Sequence, residues 1–137
     1  LLRRITNYVL KELRFNLNNE EFIKVAANAL NDKKARNLSV LKVDNLTALT
    51  EYFIVATATS STHVHSLADE VEEKLSEAGF APHHIEGRTT GWIVLDYSSV
   101  IIHIFTPDQR EFYGLDNMWN DAEKIELSGI LTESEGD

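Results

Sequence analysis

The sequence predicts an α/β fold, a single mixed β-sheet with packed helices, and three observations carry that prediction. The run Tyr52-Phe53-Ile54-Val55-Ala56-Thr57 is almost continuously apolar and of strand length, as in a strand covered on both faces. A stripe at helical spacing comes after it: Val64, Leu67, Ala68, Val71, Leu75 and Ala78. Two further apolar runs, 92–96 and 100–105, are joined by only Tyr97-Ser98-Ser99, which makes them an antiparallel hairpin.

Taken in order, residues 1–15 predict an amphipathic helix with Ile5, Val9, Leu10 and Leu13 apolar. Asn16-Leu17-Asn18-Asn19 is expected to interrupt it, with Asn18 or Asn19 capping a second helix that opens on Glu20 and Glu21. That helix places Phe22, Val25, Ala26, Ala29 and Leu30 on one face and ends at Lys33-Lys34. Residues 38–43 read as a strand and Asp44-Asn45-Leu46-Thr47 as a turn. The link from there to Tyr52 is too short for a crossover helix, so the first two strands are expected to be antiparallel. Ser60-Ser61-Thr62 supplies hydroxyls to start the long helix at about 61–78, and Gly79 ends it. The crossover through that helix can lead to a parallel strand. Residues 81–87 are expected to be a short extended segment closed by a turn. Thr106-Pro107-Asp108-Gln109 starts a last helix, with Pro at its first position and Gln at the capping-box position. Gly114 weakens that helix, Trp119 anchors the segment after it, and the acidic end from Leu131 has the composition of a disordered tail.

The chain has 137 residues, 43% of them hydrophobic and 26% charged, which suits one domain with its own core. No apolar run approaches the roughly 20 residues of a membrane span. Leu1 to Asn7 leads into a charged stretch rather than an apolar signal region, and the absent initiator Met points to a trimmed or partial start. The expectation is a cytoplasmic protein with no membrane partner. There is no cysteine, so neither a disulfide framework nor a thiolate metal site is available.

The net charge is −9, unevenly spread: residues 1–42 carry +5, 43–106 carry −7 and 107–137 carry −7. Gripping nucleic acid needs clustered cations that displace counterions from phosphates. The central and C-terminal parts lack them, so direct nucleic-acid binding is not expected as the main contact. A basic protein partner would complement this surface. Solubility alone also explains an acidic domain, and charge by itself leaves both open.

Catalytic signatures are missing. His63 and His65, two apart on a helix, point about 200° apart and do not share a metal easily. His83 and His84 point to opposite sides of an extended segment, and His103 lies mid-strand among apolar residues. Ser60 and Ser61 have no nucleophile elbow around them, and no phosphate-binding glycine loop occurs. A nucleotidyl-transfer site would need carboxylates one residue apart on a strand, and residues 92–96 offer only Asp96. No metal, cofactor or catalytic residue is therefore expected. Trp92, near a sheet end, serves either core packing or an interface beside Glu86, Arg88, Asp96 and Tyr97; periodicity leaves both roles open.

Several segments then occur in a recognisable order. They are residues 49–61 (Leu-Thr-Glu-Tyr-Phe-Ile-Val-Ala-Thr-Ala-Thr-Ser-Ser), His63-Val64, Ala68-Asp69 and Ile85-Glu86-Gly87. Gly91-Trp92-Ile93-Val94-Leu95-Asp96-Tyr97 comes next, then Val100, His103-Ile104-Phe105, Arg110-Glu111-Phe112-Tyr113-Gly114-Leu115 and Trp119. From about Glu20 to Ile125 the chain resembles the ribosomal silencing factor (Iojap-like) family. It departs from that pattern at Glu51, where Asp is usual, at Ala58, where Gly is usual, and at Asp116, where Glu is common.

The resemblance implies a nucleotidyltransferase-like fold lacking the catalytic metal site. It implies a protein that is not an enzyme, binds the fourteenth protein of the large ribosomal subunit, blocks association with the small subunit and so represses translation. Organelle relatives act in large-subunit assembly, which is the alternative, ahead of a divergent nucleotidyltransferase. The free protein is expected to form a homodimer. On this basis residues 1–19 are an N-terminal extension or cloning remnant, 20–127 the silencing-factor domain and 128–137 an acidic tail. The docking residues are expected on the hairpin face and the segment before it: His84, Glu86, Trp92, Asp96, Tyr97 and His103. Arg110 and Tyr113 are expected to tie the last helix to the sheet.

Overall fold

The computed structural model describes residues 2–87, 91–113 and 119–132, with the side chains of 2, 8, 11–17 and 111–113 set aside. The elements are α1 (Leu2–Asp32), β1 (Arg36–Lys42), β2 (Tyr52–Thr57), α2 (Ser61–Glu77), β3 (His84–Glu86), β4 (Trp92–Asp96), β5 (Val100–Phe105), α3 (Pro107–Tyr113) and β6 (Glu123–Lys124). They build one six-stranded mixed sheet in the order β3-β4-β5-β2-β1-β6.

β1 and β2 are antiparallel, as their short link requires. β2 pairs in parallel with β5, Tyr52 opposite Val100 and Thr57 opposite Phe105. β5, β4 and β3 then alternate in direction. The chain leaving β2 through α2 therefore lands on the far edge at β3 and works back inward to its parallel neighbour. Both faces of β2 are covered, and Phe53 to Thr57 are all buried.

α1 and α2 cover one face of the sheet. Phe22, Ala26 and Leu30 from α1 and Val64, Leu67, Val71 and Leu75 from α2 meet Ile54, Ile93, Leu95, Ile102 and Ile104. Each such fully buried aliphatic side chain contributes roughly 1.5–3 kcal/mol. α2 begins as the sequence requires: the Ser60 hydroxyl accepts the His63 amide at 3.1 Å. It ends in a Schellman turn, with Gly79 at φ 93° and the Phe80 amide bonded to the Leu75 carbonyl at 2.8 Å.

Two expectations are corrected here. α1 is one continuous helix through residues 16–19, so neither Asn18 nor Asn19 is a cap. Asn19 is 6% exposed, and its amide donates to the Glu51 carboxylate at 3.0 Å across the domain. An asparagine inside a helix costs only about 0.7 kcal/mol relative to alanine, and a part-buried charge-assisted bond outweighs that. Burial, then Asp44, raises the Glu51 pKa. The acidic tail also starts later than residue 128. The Asn28 side chain donates to the Ile130 carbonyl at 3.0 Å and accepts the Thr132 amide at 2.8 Å, holding the chain on α1 as far as Thr132. The short strand β6 has no sequence signal; two residues leave no periodicity, yet they pair with Leu41 and Lys42 at the sheet edge. The tail beyond Thr132 and the effect of Gly114 on α3 lie outside the described residues.

α1 closes on a left-handed lysine. Lys34 has φ 65°, its amide bonds the Asn31 carbonyl at 2.9 Å, and the Ala35 amide bonds the Leu30 carbonyl at 3.0 Å. A β-carbon in that conformation costs about 1 kcal/mol, which glycine avoids. Lys34→Gly is expected to raise unfolding stability by about 0.5–1 kcal/mol, read as a higher urea midpoint at an unchanged slope.

Candidate protein-docking surface

Strand alternation sends every second residue to the face opposite α1 and α2. In β4 that set is Trp92, Val94 and Asp96. The register places Trp92 opposite Phe105, Val94 opposite His103 and Asp96 opposite Ile101. It places His84 opposite Asp96 and Glu86 opposite Val94. Five of the six residues expected to dock, His84, Glu86, Trp92, Asp96 and His103, thus share one face.

Tyr97 lies on the other. Its ring meets Phe22 of α1 at 4.8 Å, edge to face. Its hydroxyl is buried without a hydrogen-bond partner, and burial, with Glu72 adding, pushes its pKa up to about 12.

An aromatic row crosses the docking face. Trp92 stacks on Phe105 at 4.9 Å, and its indole N–H donates to Nδ1 of His103 at 3.2 Å. His103 meets Phe53 edge-on at 5.0 Å, and Phe53 meets Trp119 at 4.9 Å. His103 is 7% exposed, and burial lowers its pKa to about 4. The ring is neutral at pH 7, and the Trp92 bond to Nδ1 puts its proton on Nε2. His103 therefore acts as a buttress: it holds the indole in place from beneath and offers a partner no surface of its own.

Trp92 is also fixed from behind. The Gly91 carbonyl accepts the Thr106 amide at 2.9 Å. A β-carbon at Gly91 would stand 3.0 Å from the Thr106 hydroxyl and 3.1 Å from Gln109, so glycine lets the start of α3 press against the strand. Arg110 of α3 donates to the Asn37 carbonyl at 2.8 Å and the Thr57 hydroxyl at 2.7 Å, tying α3 to β1 and β2 as expected of it. Arg88 and the side chain of Tyr113 lie outside the described residues.

Trp119 and Ala122 pack over Phe53, Leu41 and Val43, which covers the β1–β2 half of this face. Over β3 and β4 the face is more open. His84 and Glu86 are exposed and bonded to each other at 2.7 Å. Trp92, Val94 and Asp96 are half-buried. One Asp96 oxygen accepts the Ser98 amide at 2.8 Å, which shapes the hairpin turn and leaves the other oxygen for a partner. β3, β4 and β5 contain no Lys or Arg. The surface is an apolar strip flanked by two carboxylates, suited to a partner bearing an apolar patch and cations.

Sequence reasoning missed Val94 and Ile101, which widen the strip; period-two counting from Trp92 and His103 would have found both. It also passed over Leu49, 83% exposed on the loop between β1 and β2. Among the described residues no cluster of three His, Asp or Glu side chains is placed to hold a metal ion. No described helix is long and apolar enough to cross a membrane.

Known proteins share this arrangement. The family model described as "Ribosomal silencing factor during starvation" matches residues 16–137. The ribosomal silencing factor RsfS of Halalkalibacterium halodurans is 29% identical over 117 residues, 85% of this chain and 100% of that protein. A mouse protein named for mitochondrial assembly of the ribosomal large subunit is 29% identical over 71% of this chain and 44% of its own length. A crystal structure of a Chromobacterium violaceum protein superposes with a TM-score of 0.71 at 31% identity, covering 85% of this chain and 94% of that one.

Proposed function

The chain belongs to the ribosomal silencing factor family, and from that premise we propose that it docks on the large ribosomal subunit through that subunit's fourteenth protein and sterically blocks joining of the small subunit. The observation that carries this reading is the open β3–β4 face, where a rigidly held Trp92 stands between the carboxylates of Glu86 and Asp96. Occlusion requires no chemistry. A domain of 15.5 kDa needs only an interface on the order of 1,200–2,000 Å² at a surface the small subunit must reach. Acting this way the protein is a repressor of translation and not an enzyme, and it works in the compartment that holds free large subunits, the cytoplasm. When free it pairs with a second copy of itself.

Adding the purified protein to separated subunits and measuring joined ribosomes by sedimentation tests this directly. A falling joined fraction at rising protein, with the protein riding on the large subunit, is the expected result. Unchanged joining at saturating protein overturns the reading.

The mouse relative, by its name, acts in large-subunit assembly, and that favours a second reading in which this chain binds precursor particles. Co-sedimentation separates the two: an assembly factor is confined to precursors, whereas a silencing factor also binds mature free large subunits.

A further inference from the structure

The first half of α1 carries an apolar stripe that the domain does not cover. Ile5, Val9 and Leu10 are 54%, 48% and 46% exposed. At 3.6 residues per turn they point about 100° around the helix from the side formed by Phe22, Ala26 and Leu30, which enters the core. The stripe is therefore a separate surface and no extension of the core. Arg3 and Arg4 are exposed at one end of it, and Glu20 and Glu21 are exposed about 25 Å further along. Residues 2–15 precede the part matched by the family.

We propose that this stripe pairs antiparallel with the same stripe of a second copy of this chain. The inference rests on the self-association proposed above and assigns it a surface. Charge selects both the partner and the direction. In an antiparallel pair, Arg3 and Arg4 of each copy fall beside Glu20 and Glu21 of the other, whereas a parallel pair stacks like charge on like. Residues 1–17 hold four Lys/Arg and one Glu, while the remainder of the chain is strongly acidic. A basic amphipathic helix could also lie on an anionic bilayer, but this acidic body would be repelled by one. The body of a second copy attracts the same helix.

The mass of the chain in solution, followed by sedimentation equilibrium from 1 to 100 μM, tests the proposal. The wild type is expected to dimerise and the double variant Ile5→Asp/Val9→Asp to remain monomeric, with circular dichroism confirming the folded domain. Arg3→Glu/Arg4→Glu is expected to weaken the dimer at least tenfold, and so is Glu20→Lys/Glu21→Lys. Mixing those two charge variants restores a heterodimer. A wild type monomeric throughout overturns the self-association itself. A dimer untouched by Ile5→Asp/Val9→Asp overturns only this surface, and pelleting of the wild type with phosphatidylserine vesicles does the same in favour of a membrane. Subunit joining is scored separately on the same variants and is expected to be unaffected, so the docking reading stands or falls on its own.

Discussion

Trp92→Ala is expected to weaken binding to isolated large subunits by at least tenfold. Truncating an aromatic anchor at the centre of an interface commonly costs about 2 kcal/mol or more, and each 1.4 kcal/mol is a factor of ten. The indole is well placed for that role because it is not free to move. It is stacked on Phe105 and bonded to His103, so little side-chain entropy remains to be lost when a partner arrives. The same contacts mean that Trp92→Ala also removes packing from the domain. Two further substitutions keep the interpretation clean. Trp92→Phe retains the stack and loses the hydrogen bond. Glu86→Lys alters an exposed side chain and reverses one of the carboxylates facing a basic partner. Binding by all three is read against their melting temperatures. Retention of large-subunit binding within twofold by Trp92→Ala means that the face is not the dock.

Acid should destabilise the domain through one residue. The His103 pKa falls from 6.5 to about 4 because the ring is buried. Between those values the unfolded chain takes up a proton that the folded one refuses. Stability is therefore intact above pH 6.5 and declines as pH drops toward 4, in total by about 3 kcal/mol at 1.36 kcal/mol per pKa unit. Glu51, whose pKa is raised by burial, works in the opposite direction over its own range. Urea midpoints at pH 7, 5.5 and 4.5 should fall steeply for the wild type and less for His103→Gln, which has no imidazole to protonate. Parallel slopes for the two proteins would show that His103 is not the group responsible.

How far the sequence reaches can be seen at particular residues. The hairpin, the start of α2 at Ser60 and its stop at Gly79, and Pro107 opening α3 are each dictated within a few residues, and the structure has all of them. The strand order is not local. Nothing between Tyr52 and Thr57 says that β5 rather than β3 will be its parallel neighbour; that depends on which strand fits between two covered faces. Asn19 shows the same limit. Its local preference is to cap, and only the arrival of Glu51 from across the domain makes it better placed inside the helix.

The docking face was partly legible. Alternation puts Trp92 and Asp96 together, and register then adds Glu86 and His84. Tyr97 sits one step beyond the strand, where the turn redirects it toward Phe22, and alternation could not foresee that. The division of labour between an exposed indole and its hidden imidazole depends on burial, which a mid-strand histidine does not reveal from sequence.

The central pairing of β2 with β5 also bears on the birth of the protein. A chain emerging from its own ribosome offers β2 long before Val100 has been made. Until then β1 guards only one side of the most apolar strand, and the other side is an open edge of the kind that joins neighbouring chains. Closing that gap is a long-range event and hence slow. Synthesis that pauses between α2 and β5 would leave this edge waiting, so aggregation of stalled chains, more than of finished ones, is the hazard built into this order of strands.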